Sequence, residues 1–234
     1  MTARRLSRTT IRVDAPTIDE LRREVAELRA SRARVLTAAD EERHSIEREL
    51  HDGAMQHFVA LGVKLQLAGG LVETDSPAAE LLDEMLHDVH EALDDVRRLA
   101  WRVYPSLLLD RGLGAALPAA ASLVGIPTRV EAADVGRLAP ELEASIYFCC
   151  VELLQHAAEG GGQAIVRVRS ERDVVRFEVT LESADVEQWK TRDLSGVADR
   201  LGAFGGRLVV EAGQDVRISG VVQGVVADPC SSAR

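Results

Sequence analysis

The sequence predicts an α+β protein: a helical hairpin that pairs with a second copy of itself into a dimeric four-helix bundle, followed by an α/β sandwich. Three observations carry this. From about Thr17, apolar residues recur at intervals of three, four and seven with charges between them. The same spacing returns between about Ala78 and Val103. After Tyr104-Pro105 the pattern changes to short strand-like runs mixed with helices, the order expected of a sheet with helices on one face.

Residues 1–15 read as a disordered basic arm, with Arg4, Arg5, Arg8 and Arg12 in a polar context. Residues 16–105 read as a coiled-coil lead-in and a dimerisation hairpin. Ile18, Leu21, Val25, Leu28 and Val35 form a heptad-like stripe that runs, without Gly or Pro, towards His51. A helix of that length in a small protein needs a partner helix, and a second copy of the chain supplies one. The stripe continues through Ile46, Leu50, Ala54, Phe58, Leu61, Leu65 and Ala68. Gly69-Gly70 and Ser76-Pro77 then mark a turn. The second helix points Leu81, Leu82, Met85, Val89, Leu93, Val96 and Leu99 inward. Two such hairpins complete a four-helix bundle.

Beyond the hairpin, Thr128–Glu131 is a strand and residues 142–158 a helix with Cys149 and Cys150 inside. Residues 164–168 and 174–181 read as a strand pair. A helix over 194–204 ends at Gly205-Gly206. Residues 207–211 and 216–226 are the last strands.

Composition narrows the function. A hydrophobic fraction of 46% suffices for packed cores, and with only 3% aromatics those cores are aliphatic. A net charge of −10 argues against nucleic acid as a main partner, because phosphate backbones need a basic surface. No apolar run reaches the ~20 residues of a membrane span, and the first residues do not resemble a signal peptide. A cytoplasmic protein is expected. Cys149, Cys150 and Cys230 are odd in number and lack zinc-type spacing, and adjacent Cys149 and Cys150, in an apolar helical stretch, read as reduced core residues. His87 and His90 are spaced for a metal pair but have no third ligand at clear spacing, so they read as a solvated face and no metal is expected.

The chemistry concentrates in Glu42-Arg43-His44-Ser45-Ile46-Glu47-Arg48-Glu49-Leu50-His51-Asp52-Gly53-Ala54-Met55-Gln56. His51 sits one residue off the apolar stripe, at the edge of the buried face and within reach of solvent. An imidazole is a phosphoryl nucleophile, and the adjacent Asp52 can hold its other nitrogen or take its proton. Asp52 and Gln56 are spaced i,i+4, so both lie beside His51 and can position a water.

This run resembles the phosphoacceptor box of histidine kinases, in the subfamily that pairs with response regulators of the nitrate-regulator type. Ile46, Arg48, Glu49, Leu50, His51, Asp52 and Gln56 match that box, and Ser45 departs where the family has Arg. The resemblance implies His51, Asp52 and Gln56 as catalytic residues, and a response regulator and a homodimer as partners. It also implies regulator choice by exposed positions near His57, Ala60 and Lys64. Pro105 to Leu117 resembles the family's linker into the nucleotide-binding domain. Residues 106–234 then resemble its ATPase domain.

That domain departs from the family where nucleotide binds. Glu152 stands at the family's Glu position, but His156 replaces the Asn that holds Mg²⁺, a hard cation that prefers oxygen. No glycine occurs between Gly162 and Gly196, so the first Gly-rich loop is missing and only Glu182 lies nearby. Asp193 precedes Gly196 where phosphates would rest. The resemblance therefore implies a degenerate ATP site built on Glu152, His156 and Gly196. Phosphoryl exchange or regulator dephosphorylation is the leading expectation, with no cofactor. An ATP- and Mg²⁺-dependent autokinase is one alternative. A non-catalytic dimeric sensor or scaffold, able to pair with an active kinase, is another.

Overall fold

The computed structural model describes residues 17–133, 135–171, 173–182 and 185–223. The basic arm, Cys230, Ser183-Ala184 and the expected strand end at residues 224–226 lie outside the described residues.

Helix α1 (Ile18–Glu49) opens with a capping box. Thr17 accepts from the Glu20 amide, and Glu20 accepts from the Thr17 amide at 2.7 Å. A six-residue π-helical turn, Leu50–Met55, then joins α1 directly to α2 (Gln56–Gly69). After the turn at Gly70, α3 (Pro77–Val103) starts on a Ser76 cap with Pro at its first position. It runs back against α2 and closes the hairpin, with Leu65, Val89 and Leu93 buried in the seam.

The expected inward stripe is narrower in the single chain. Ile18 is 70% exposed, Leu81 57% and Leu99 56%, and Leu21, Val25, Leu28, Val35 and Met85 are exposed as well. Ile18, Leu21, Val25, Leu28 and Val35 recur at helical spacing along α1.

The linker-like segment Pro105 to Leu117 is helical. It folds into α4 (Ser106–Arg111) and α5 (Leu113–Val124). Gly112 ends α4 in the left-handed region, φ 70°, and lets the chain turn at once into α5. Leu113, Ala116 and Leu117 are fully buried, so this segment belongs to the core of the α/β part.

Five strands form one sheet, in the order β1-β2-β3-β5-β4. They are β1 (Thr128–Glu131), β2 (Gln163–Glu171), β3 (Val174–Glu182), β4 (Arg207–Ala212) and β5 (Val216–Gln223). β1 and β2 are parallel and the other pairs antiparallel. Alternation puts Val166, Val168, Phe177, Val179 and Ile218 on the face covered by helices α5, α6 (Pro140–Gly160) and α8 (Ser195–Ala203). A short helix, α7 (Val186–Thr191), stands on Asp185, whose carboxylate accepts from the Glu187 and Gln188 amides. α8 ends on Gly205 at φ 72° and Gly206, whose amide reaches the Leu201 carbonyl at 2.8 Å, the closure the Gly-Gly pair predicts.

Candidate functional site

His51 lies within the π turn, where hydrogen bonds run to the fifth residue and one extra residue is packed into a turn. Its imidazole is 61% exposed, and Asp52 is 71% exposed beside it. Nδ1 of His51 stands 3.3 Å from Oδ1 of Asp52. A carboxylate only accepts, so this contact calls for a proton on Nδ1, and in the neutral ring that tautomer puts the lone pair on Nε2. Gln56 is exposed at the first position of α2, one turn on. His57, Ala60 and Lys64 are exposed on the same helix. His87 and His90 are exposed on α3.

The second set of predicted residues gathers along α6. Glu152 and Gly196 meet: a Cβ on Gly196 would lie 2.9 Å from Glu152 Oε1, so any side chain there would push the Glu152 carboxylate aside. His156 faces a different neighbour. The Arg192 guanidinium is 2.8 Å from His156 Nδ1, donates to the His156 carbonyl, and pairs with Glu159 at 2.7 Å. Arg192 also lies over the Trp189 ring, 5.3 Å from its centre, and its side chain is only 11% exposed. A cation and an indole thus cover the side of α6 that carries His156.

Asp193 turns its carboxylate onto the start of α8, where Oδ1 accepts from the Ser195 amide at 2.9 Å. That hydrogen bond, more than the nearby His156, holds the carboxyl below its ordinary pKa. The amide end of a helix is where a phosphate would sit. Here the chain's own carboxylate occupies it.

A cavity of about 490 Å³ opens on the neighbouring face of α6. Its walls include Glu152, Gln155 and Phe148 from α6, Leu123 from α5, Arg200 from α8 and Arg43 from α1. Glu182, Asp193 and His156 do not line it. Arg43 and Arg200 flank the Phe148 ring at 5.1 and 4.8 Å from its centre. Both hold Asp40 of α1, at 2.7 and 2.8 Å. Sequence reasoning passed over Arg43, Arg192 and Arg200. Arg192 stands next to Asp193 in the segment where the glycine loops are lost, and that adjacency was the one available signal.

Residues 42–108 match the family described as histidine kinase. The chain is 31% identical over 171 residues to the sensor histidine kinase MctS of Rhizobium johnstonii, covering 70% of this chain and 37% of that protein. It is 36% identical over 86 residues to the oxygen sensor histidine kinase NreB of Staphylococcus carnosus, covering 36% of this chain and 24% of that one. A solved histidine kinase domain, from the blue-light activated histidine kinase of Erythrobacter litoralis, superposes with a TM-score of 0.43 at 16% identity, over 72% of this chain and 94% of that domain. The chain therefore spans well under half the length of the two curated relatives.

Proposed function

We propose, for a chain that belongs to the histidine kinase family, a two-component role in which phosphoryl groups pass through His51 but are not loaded there efficiently from ATP. One contrast carries this reading. The His51-Asp52 pair is open to solvent, while Arg192 covers His156 and Asp193 caps the start of α8.

In the transfer direction, Nε2 of His51 attacks the phosphorus of a phosphoaspartate on a response regulator. The N–P bond forms, the P–O bond to the aspartate breaks, and the regulator carboxylate leaves. Asp52 holds Nδ1–H throughout and stabilises the charge on the ring. In the hydrolytic direction, Asp52 and Gln56 orient a water at the same phosphorus, and inorganic phosphate leaves with the aspartate restored. The exposed row from Ile18 to Val35 supports a dimer closed by a second copy. Exposed His57, Ala60 and Lys64 then face the regulator.

Incubation with a phosphorylated receiver domain tests this. Label is expected to move to His51 or to leave the regulator faster, and His51→Gln is expected to stop transfer. No change in the receiver's phosphate lifetime sinks the reading.

A working autokinase is the second reading, favoured by Glu152 beside a cavity of about 490 Å³. Calorimetry with ATP, with and without Mg²⁺, separates the two. Micromolar affinity that depends on Mg²⁺ would favour the autokinase.

A further inference from the structure

The sheet has a second face, away from the helices, whose charge runs against that of the whole chain. Alternation from buried Val166, Val168, Phe177 and Ile218 turns Arg167, Arg169, Arg176, Glu178 and Arg217 outward. These five side chains line a concavity of about 310 Å³. Four guanidinium groups and one carboxylate thus share a small hollow in a protein of net charge −10.

The hollow is ordered from within. Glu178 holds Arg167 at 3.1 Å and Arg217 at 3.6 Å, and Glu131 holds Arg167 from the other side at 2.9 Å. Glu211 reaches Arg217 at 3.9 Å. Arg169 and Arg176 stand outside this network. They are directly opposed across β2 and β3, and among the described residues neither is in an ion pair with a carboxylate. Like charges placed directly opposite destabilise a sheet. A shared anion removes that repulsion, and two adjacent guanidinium forks match the oxygen geometry of a phosphate.

We propose that this hollow is a binding site for a compact, multiply charged phosphate anion, gripped by Arg169 and Arg176 and flanked by Arg167 and Arg217. The lining has no aromatic or apolar side chain, so nothing in it selects a base or an acyl chain. Glu131, Glu171 and Glu211 stand around the hollow on the same outer face. A broad anionic surface, such as a membrane, would press against these acids. A small free anion would not.

The test is calorimetry on the full chain with inorganic pyrophosphate and with orthophosphate, at constant ionic strength. Pyrophosphate is expected to bind more tightly than orthophosphate. Arg169→Gln combined with Arg176→Gln is expected to weaken it at least about tenfold, the loss of two charge-assisted contacts. Arg176→Glu gives Arg169 an opposite partner, so it is expected to melt no lower than wild type while losing the rise in Tm that pyrophosphate causes. Unchanged affinity in the double variant, or a full Tm rise in Arg176→Glu, overturns the proposal. So does sedimentation with mixed phosphatidylcholine and phosphatidylserine vesicles that depends on Arg169 and Arg176, which would assign the face to a membrane.

Discussion

Asp40 of α1 and Arg200 of α8 form an ion pair of 2.8 Å with both side chains about nine-tenths buried, although they are 160 residues apart in the chain. Arg43 binds the second oxygen of the same carboxylate. The helix that leads into His51 is therefore bolted to the α/β part through one aspartate and two arginines stacked on Phe148.

Removing one member leaves a buried charge uncompensated. Asp40→Ala is expected to destabilise the fold by about 3 kcal/mol. Replacing both Asp40 and Arg200 by Leu is expected to recover most of that loss, because an apolar pair avoids the desolvation cost. Urea unfolding of the three proteins checks this. Additive losses in the double variant would contradict it.

Gly220 of β5 is expected to tolerate no side chain. A Cβ there would lie 2.2 Å from the Phe177 ring and 2.9 Å from Leu201. Gly220→Ala forces the sheet away from α8 and is expected to cost about 1–3 kcal/mol. A thermal melt equal to wild type would show that Phe177 moves aside freely.

Alkaline pH is expected to weaken the α/β part. Burial pushes the Cys149 thiol up to about 12 and, with help from Asp40, the Tyr104 phenol up to about 12. Both groups are neutral in the folded chain and ionise more readily when unfolded. The unfolded chain therefore binds fewer protons above its own thiol range, and stability falls as pH rises from there through the folded values. Denaturant midpoints between pH 8 and 11 should decline, and Cys149→Ala should flatten the decline. At pH 8 the native Cys149 and Cys150 should also resist iodoacetamide, since both are thiols in a closed core.

Arg192→Ala is expected to uncover Trp189. The guanidinium packs on the indole and bridges to His156 and Glu159. Its loss should red-shift the emission of Trp189, which is 3% exposed in the fold. The cost should be about 1 kcal/mol of stability. Unchanged emission would mean that other side chains keep the indole dry.

Gly53→Ala is expected to stabilise the helix through His51 by up to about 1 kcal/mol, since nothing lies within 4 Å of the added Cβ. Helix content by circular dichroism and a urea midpoint test this. A lower midpoint would show that the π turn needs glycine's freedom.

Much of this architecture was legible in the residues. The three-four spacing located both hairpin helices, and Gly205-Gly206 located the end of α8. Tyr104-Pro105 was read as the end of the second hairpin helix, and α3 does end there, but α4 and α5 just beyond it went unseen. Their Leu and Ala content was the missed signal, for Leu113, Ala116 and Leu117 are core. At the candidate site, the residue types at His156 and Asp193 were visible, but what covers them was not. Arg192 folds back onto α6 from 36 positions away, and no local pattern encodes such a contact. The Asp40–Arg200 pair was hidden for the same reason.

That inserted residue behaves like a dislocation in a crystal. Each residue of an α-helix turns the chain by about 100°. One end of the continuous helix is clamped at Asp40, and the other lies packed along α3. The surplus residue lies between them, at Leu50–Met55. It can vanish only if the part beyond it rotates against the clamped part. His51 therefore sits on a defect held between two anchored ends.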